Sequence, residues 1–359
     1  MRSWRSFVAL GIASVALLSI GVAAPAPAGA AKPFDELLTG LSSPKGVAVN
    51  RSGDPVVAQG AFGAPGPVLV HVLRGRDRGQ TFEVTDPVNL TDVAVSPLDG
   101  TGWGIGGDGV LYHQLADGTI VPVLNIPEYQ QGDPDPVDQD DFPEESNPYG
   151  LAVTARGDAL VADAAGNDVI KVTPDGTATT LARFDLETVS TDHLPPGFPL
   201  PPGTTELTAE AVPTSIAIGR DGAIYVGELK GFPFRPGSSR VWRIDPRADG
   251  VFCSVNTPSS GCTTAQSGLT AIQDIALGTN GRLYVYELAA DGVLAFEEGL
   301  ETGVFPPAVL LEIKGNRRTE LAAGQLSQPG GVAVGRGGTI FVTDAVFTPD
   351  GGRLLSLRR

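Results

Sequence analysis

The sequence has 359 residues but few of the side chains that most often carry chemistry: two Cys, three His and one Met. It contains no Gly-x-Ser-x-Gly elbow, no Walker loop and no Rossmann glycine fingerprint, which argues against the hydrolases and nucleotide-binding enzymes built on those motifs. None of the three His has an obvious partner in the sequence. A metal site of three His is therefore not expected.

Positive charge is also scarce. The chain carries 25 Lys and Arg against 41 Asp and Glu, a net charge of −16, which argues against a nucleic-acid partner because phosphate binding needs clustered cations. Long helices are not expected either, because the 47 Gly and 30 Pro interrupt helices. The hydrophobic fraction of 42% is nevertheless enough for a core. An all-β domain fits these numbers.

The first thirty residues have the pattern of a secretory signal. Arg2 and Arg5 precede an apolar stretch without charge, residues 7–24, and small residues follow at 28–30. We expect cleavage after Ala30, which leaves residues 31–359 as the mature chain. This pattern predicts a secreted protein, extracellular or periplasmic, with no stable membrane anchor after cleavage.

The two cysteines become interpretable if the chain is exported. Cys253 and Cys262 lie in a segment rich in Ser, Thr, Gly and Pro. In an oxidising compartment such a pair is most simply a local disulfide. The alternative, a zinc or thiol site, has no nearby His or second Cys pair to support it.

An internal repeat is the strongest signal. A turn residue, an apolar residue, Ala and a second apolar residue recur six times, roughly 60 residues apart, and each unit continues into a tight turn and another strand. The units begin at Gly46, Asp92, Gly150, Ser215, Asp274 and Gly331. The constant Ala is expected where neighbouring sheets converge near an axis. Six units of four short strands predict a six-bladed β-propeller.

Both ends of the chain support a closed ring. The last repeat stops after its third strand, residues 353–358, while residues 34–39 precede the first repeat and belong to none. We expect these two segments to pair, which would leave no long edge exposed. Equivalent repeats on both sides of residues 190–210 argue for one domain over residues 31–359. In the fifth repeat the third strand is predicted at residues 293–297.

Four of the predicted second strands end in an acid. These residues are Asp163, Glu228, Glu287 and Asp344. Around a ring they could gather as a cation site or as an acid/base pair at the channel mouth. Alternatively each caps the turn that follows it by accepting backbone N–H groups. Their repetition favours the cap, because structural needs recur in every blade and catalytic ones rarely do.

Two loops are further candidates on the face where chains enter the inner strands. Residues 127–147 contain eight acids and could hold Ca²⁺, although the spacing does not match an EF-hand and a solvated charged loop is the simpler interpretation. Residues 230–239 carry Phe232, Phe234 and Arg235. These could stack on an aromatic or sugar ligand and bind an anion, or the rings could pack onto the blade below.

Several segments resemble known propeller sequences. Residues 161–172 resemble an NHL repeat, and residues 146–150, 212–215, 227–234 and 328–334 resemble the ScyD/ScyE family of exported propeller proteins. The Gly-Phe-Pro-Phe run in the third of these segments is the most specific. The resemblance implies an NHL-like propeller outside the cytoplasm, and it implies no catalytic residues because the family's activity is not established.

Two functions follow as hypotheses. The first is a binding or scaffold protein that recognises a small molecule, a glycan or a protein through its loop face. The second is a metal-dependent hydrolase or lyase of the lactonase type that uses the carboxylates at the channel mouth. Among cofactors only Ca²⁺ is suggested, by the acidic loop and the four acids.

Overall fold

The computed structural model describes residues 34–60, 68–72, 80–84, 89–139 and 141–357. The predicted signal segment, residues 1–30, and Asp140 of the acidic loop lie outside the described residues. Strands dominate the described residues, which contain two helices, α1 and α2, of seven and ten residues. Within these ranges no helix has both the length and the apolar character needed to cross a membrane.

The elements follow one another with short connections. The first half of the chain contains β1 (Asp35–Leu41), β2 (Val47–Val49), β3 (Pro55–Ala58), β4 (Val68–Val72), β5 (Gln80–Val84), β6 (Leu90–Val95), β7 (Gly102–Gly106), β8 (Val110–Gln114), β9 (Ile120–Asn125), α1 (Ile126–Gly132), β10 (Pro148–Val153), β11 (Ala159–Asp163), β12 (Asp168–Val172) and β13 (Ala178–Phe184). The second half contains β14 (Glu187–Ser190), β15 (Glu206–Ala209), β16 (Pro213–Ile218), β17 (Ile224–Glu228), β18 (Ser239–Ile244), β19 (Val251–Cys253), β20 (Cys262–Leu269), β21 (Ile272–Leu277), β22 (Leu283–Glu287), α2 (Val293–Thr302), β23 (Val309–Lys314), β24 (Arg317–Leu321), β25 (Val332–Val334), β26 (Ile340–Asp344) and β27 (Gly352–Leu357).

Each repeat folds into one antiparallel sheet, which we number by repeat. Sheets 1 and 2 are β2–β3–β4–β5 and β6–β7–β8–β9, and sheet 3 is β10–β11–β12–β13 with β19 at its edge. Sheets 4, 5 and 6 are β16–β17–β18–β20, β21–β22–β23–β24 and β25–β26–β27–β1. The strands β14 and β15 form a separate hairpin. The all-β propeller prediction is confirmed.

The prediction of six four-stranded blades does not match the structure, in which only five of the sheets are regular blades. Five sheets have the four strands of a regular blade, and sheet 3 has five because β19 adds to β13 in parallel. The first strands of the sheets contact one another in cyclic order: β2, β6, β10, β16, β21, β25 and again β2. These inner strands therefore surround a common axis.

The ring closes as predicted through the first strand of the described chain. β1 pairs antiparallel with β27 and supplies the fourth strand of sheet 6, with Asp35 opposite Ser356 and Leu41 opposite Gly352. Phe34 lies just before this strand and is buried between sheets 5 and 6. Pairing of the two ends of the chain covers an edge that would otherwise expose unpaired N–H and C=O groups.

The core consists of separate apolar layers between neighbouring sheets. One Ala from the repeat lies in each layer: Ala48, Ala94, Ala152, Ala217, Ala276 and Ala333. The turn residue that begins the repeat unit of sheet 1 is also in a crowded place, because a Cβ on Gly46 would lie 2.7 Å from the Oδ1 atom of Asp92. Small residues are therefore required where the sheets converge.

The disulfide is confirmed and lies between two sheets. Cys253 ends β19 and Cys262 begins β20, and their Cα atoms are 5.2 Å apart. Because β19 pairs with sheet 3 while β20 belongs to sheet 4, the bond joins neighbouring sheets at their outer edge. Both cysteines are buried against Phe184 and Trp242. Closure of a ten-residue loop stabilises the fold by about 2–3 kcal/mol in the chain-entropy description.

The strand predicted at residues 293–297 is wrong, because this segment begins helix α2. Val293 and Phe296 are buried three residues apart, which is helical spacing. Gly292 and Gly303 flank the helix with φ of 86° and 75°, and Gly303 ends it in the left-handed conformation. The third strand of sheet 5 follows later, as β23.

Candidate functional site

The four acids predicted at strand ends are the last residues of β11, β17, β22 and β26, and all four are buried. In the described part of the chain, no hydrogen bond or ion pair joins any two of them. The same part contains no group of three His, Cys, Asp or Glu side chains arranged to hold a metal ion. The structure does not bring the four acids together as a cation site.

Asp163 has the geometry of a turn cap extended to a neighbouring loop. Its Oδ1 atom accepts the backbone N–H groups of Asn147 at 2.6 Å and Gly166 at 3.1 Å. Its Oδ2 atom accepts the hydroxyl of Ser146 at 2.6 Å and the amide of Gln130 at 3.2 Å. Burial raises the pKa of Asp163 above its ordinary value. The side chain is saturated with partners, which supports the capping interpretation.

Glu228 instead anchors a buried ionic network. Its Oε1 atom accepts from Arg240 Nε at 2.9 Å and lies 3.1 Å from Lys230 Nζ, while Oε2 accepts from Trp242 Nε1 at 2.8 Å. Glu187, from the β14–β15 hairpin, contacts the same two cations. Burial acts to raise the pKa of Glu187, yet Lys230 and Arg240 hold it below its ordinary value. Two carboxylates and two cations thus neutralise each other.

The remaining two acids are also held by partners within the fold. Asp344 accepts from Tyr286 at 3.1 Å and from the backbone of Ser327 at 2.9 Å, and it forms an ion pair with Arg353. Glu287 accepts the backbone N–H of Thr270 at 2.8 Å. Burial raises the pKa of Glu287 to about 7 and also raises that of Asp344.

The acidic loop is folded onto sheet 3, so its description as a solvated loop is wrong for its first part. Helix α1 begins the loop, and Gln130 on this helix is buried between Asp163 and Asp168. Asp133 forms an ion pair with Arg183, and Asp135 accepts from Asn167 at 3.2 Å. Since partners within sheet 3 satisfy these acids, the described residues give no support to the Ca²⁺ prediction.

The aromatic loop packs inward as well. Phe234 is 8% exposed and lies in an apolar cluster with Leu229 and Phe296 of helix α2. Phe232 is partly buried and its ring centroid lies 5.7 Å from that of Phe234, edge to face. Arg235 forms an ion pair with Asp192. The rings and the guanidinium therefore hold the loop against its neighbours, which is the second of the two interpretations above.

A polar cluster on the axis was not predicted from sequence. It consists of Lys45, Asp92, Tyr149, Gln273 and Asp274, which lie at the starts of four inner strands; we call it the axial cluster. The register of the sheets places these starts beside the ends of the second strands, as with Pro148 opposite Asp163. The axial cluster therefore lies at the end of the inner strands that belongs to the loop face.

Contacts between sheets that are not neighbours show that this cluster spans the axis. Lys45 of sheet 1 donates from Nζ to the carbonyl of Tyr149 in sheet 3 at 2.8 Å, and its Nζ lies 3.6 Å from the centroid of that ring. Gln273 of sheet 5 donates from Nε2 to the Tyr149 hydroxyl at 2.9 Å. Side chains of alternate sheets thus meet across the axis.

The two aspartates of the axial cluster bridge neighbouring sheets. Asp92 accepts the backbone N–H of Leu151 in sheet 3 at 2.8 Å, and Asp274 accepts that of Val332 in sheet 6 at 2.6 Å. Both aspartates are partly exposed, whereas Lys45 is only 4% exposed.

Charge is closely balanced in the axial cluster. Burial lowers the pKa of Lys45 and raises that of Asp92, with each partly offsetting the other. Burial, together with the charge of Asp92, raises the pKa of Asp274 to about 8, and burial raises that of Tyr149 to about 12. Because its pKa is about 8, the Asp274 carboxyl keeps its proton near neutral pH.

One sequence signal could have identified the axial cluster. The repeat begins with Gly or Ser in four units but with Asp92 and Asp274 in the second and fifth. Reading these residues only as turn formers conceals that difference. The contribution of Lys45 could not be recognised in this way, because its partners come from distant parts of the chain.

Replacing Asp274 with Asn should change how stability depends on pH. A carboxyl whose pKa rises from 3.8 unfolded to about 8 folded stabilises the fold fully below pH 4, and that contribution is lost as pH rises to 8. Relative to the native protein, the variant should therefore gain about 2–4 kcal/mol between pH 5 and pH 9. Thermal unfolding across this range measures the gain. The exposed Asp249→Asn variant should show no such trend, and a flat difference for Asp274→Asn would contradict the assignment.

Comparison with known proteins supports the fold alone. No protein-family model and no curated protein matches the chain. Among solved structures, a glucose dehydrogenase is similar with 13% identity and a TM-score of 0.54, covering 91% of this chain and 99% of its own. A virginiamycin B lyase from Staphylococcus aureus is similar with 15% identity and a TM-score of 0.52, covering 91% and 99%. The PQQ-bound aldose sugar dehydrogenase from Streptomyces coelicolor has 14% identity and a TM-score of 0.52, covering 90% and 96%.

Proposed function

We propose that the protein is an exported binding propeller that holds a small polar molecule on the floor formed by the axial cluster. The observation that carries this proposal is the meeting of Lys45, Tyr149 and Gln273 across the axis beneath the loop face. Convergent polar groups in a concavity are typical of ligand sites. The partly exposed carboxyl groups of Asp92 and Asp274 have acceptor oxygens, which favour a ligand rich in N–H or O–H donors, such as an amine or a sugar.

Export and family membership belong to the same proposal. The signal pattern of residues 1–30 supports export, and so does the disulfide between Cys253 and Cys262, since disulfides persist in oxidising compartments. We count the five-stranded sheet 3 as a sixth blade of NHL-like type, because its inner strand takes its place in the ring. The resemblance of residues 227–234 supports assignment to the ScyD/ScyE type.

A hydrolase or lyase is the second candidate function. It is favoured by the burial of Asp274 beside Asp92, which raises the pKa of its carboxyl to about 8 and suits it to act as a general acid. A metal-dependent lactonase mechanism would need a further set of ligands, and the described residues contain no group of three that could supply them. The binding function is therefore proposed first.

A thermal-shift screen tests the choice. Purified protein would be exposed to spermidine, glucosamine, glucose, γ-butyrolactone and CaCl₂ in separate titrations. We expect glucosamine or spermidine to raise the melting temperature saturably, since a ligand that binds only the folded state stabilises it. The shift should fall at least fivefold in Gln273→Ala and persist in Asp249→Asn.

The outcomes separate the two candidates. Absence of any shift with the donor-rich probes, or an equal shift in Gln273→Ala, would contradict the binding proposal. Turnover of the lactone that is lost in Asp274→Asn would favour the enzyme instead. Loss of that turnover on chelation, with a shift in CaCl₂, would favour the metal-dependent form.

A further inference from the structure

A basic depression lies at the edge of sheet 5 opposite the loop face. It has a volume of about 280 Å³ and is lined by Arg282, Glu312, Lys314, Arg317 and Thr319. These residues lie where β22 begins, where β23 ends and where β24 begins. Three cations gathered in one place are unusual in a chain whose net charge is −16.

The sheet register places the cations side by side. Lys314 of β23 is directly opposite Arg317 of β24, and the next pair along, Glu312 with Thr319, lies on the same face. Arg282 precedes Leu283, which pairs with Ile313, so Arg282 extends the row on the other side of β23. Like charges directly opposite each other destabilise a sheet. The exposed pair therefore has a small electrostatic cost, which a bound anion would remove.

The charges inside the depression do not balance. Glu312 is buried, accepts from the Tyr284 hydroxyl at 3.0 Å and lies 3.7 Å from Arg282 Nε. This one carboxylate is held below the row of three cations. Lys314 and Arg317 are exposed, and neither forms an ion pair with any residue within the described ranges. Two positive charges are thus left facing solvent over a shaped concavity.

We propose that this depression binds an oxyanion, the phosphate or sulfate group of a small molecule. The guanidinium of Arg317 offers a planar fork that matches such a group, Lys314 supplies a point charge, and the Thr319 hydroxyl is a further donor. Arg282, oriented by Glu312, closes the side of the site. Because the site is open to solvent, its affinity should fall as ionic strength rises. The site is independent of the axial cluster, which lies on the opposite face.

Isothermal titration with inorganic phosphate and with sulfate, at low ionic strength, tests the proposal. We expect saturable one-to-one binding that weakens at least tenfold in Lys314→Gln and in Arg317→Gln. The matched control is Arg318→Gln, which removes the same charge from the same strand. The Arg318 guanidinium points to the other face, where it donates to the Gly268 carbonyl at 2.6 Å, so phosphate affinity should stay within twofold.

Measuring the stability of the variants without phosphate shows whether they remain folded. Removing one member of the like-charged pair should raise the melting temperature of Lys314→Gln by about 1–2 °C, so lost binding would not reflect unfolding. Equal weakening in Arg318→Gln would show a general charge effect and overturn the proposal. Absence of saturable binding in the native protein would overturn it too, and neither result would bear on the axial cluster.

Discussion

Glu228→Gln is expected to lower the free energy of unfolding by about 3–5 kcal/mol, because it breaks a buried ion network and leaves cations without a charged partner. The native carboxylate accepts from Arg240 and Trp242 and contacts Lys230. In the variant one of those oxygens becomes an NH₂ group that faces donors. Glu187 alone would then have to neutralise both cations. Equilibrium unfolding in urea at pH 7 measures the loss.

Glu287→Gln is the matched control, since Glu287 occupies the same place at the end of the second strand of the next sheet. It accepts one bond, from the Thr270 backbone, and its pKa is raised to about 7. The neutral amide resembles the half-protonated native acid, so the expected loss is below about 1 kcal/mol. Equal losses in the two variants would contradict the ionic interpretation, as would a folded Glu228→Gln protein of native stability.

Lys45→Met should be the second severe change, with a loss of about 3–5 kcal/mol at pH 7. It removes the ammonium that lies beside Asp92 and Asp274 and over the Tyr149 ring. At pH 5 the loss should be smaller, because carboxyls with raised pKa values take up protons and no longer need a counter-charge. Thermal unfolding at the two pH values measures this difference.

Lys171→Met provides the comparison. Lys171 lies in the third strand of sheet 3 and is partly exposed, so the loss of its ammonium should change stability by less than about 0.5 kcal/mol at either pH. If Lys45→Met were as mild as this control, the charge balance of the axial cluster would be wrong. The same would follow if its effect were independent of pH.

Much of the fold could be predicted because it depends on local patterns. The Ala-centred unit recurs in all six repeats, and in each of them its Ala lies in the inner strand of a sheet. The unmatched segments at the two ends predicted that β1 would pair with β27, as observed. Cys253 and Cys262 were predicted to bond, but not that the bond would join two sheets.

The candidate site was harder to predict for a physical reason. Asp163, Glu228, Glu287 and Asp344 repeat at one place in the blade, yet each has a different set of partners in the structure. Lys45 has no such pattern, yet its ammonium meets Tyr149 more than one hundred positions away. A ring brings together residues that are far apart in sequence, and no local spacing records which ones meet.

From the linear chain came the propeller, the pairing of its ends and the cysteine bond, since hydrophobic alternation, turn residues and redox chemistry act over short distances. Tertiary packing alone decided that β19 would extend sheet 3, that the acids would be saturated by neighbours, and which polar groups would meet on the axis. Those outcomes depend on distances between sheets, which are set only when the ring has closed.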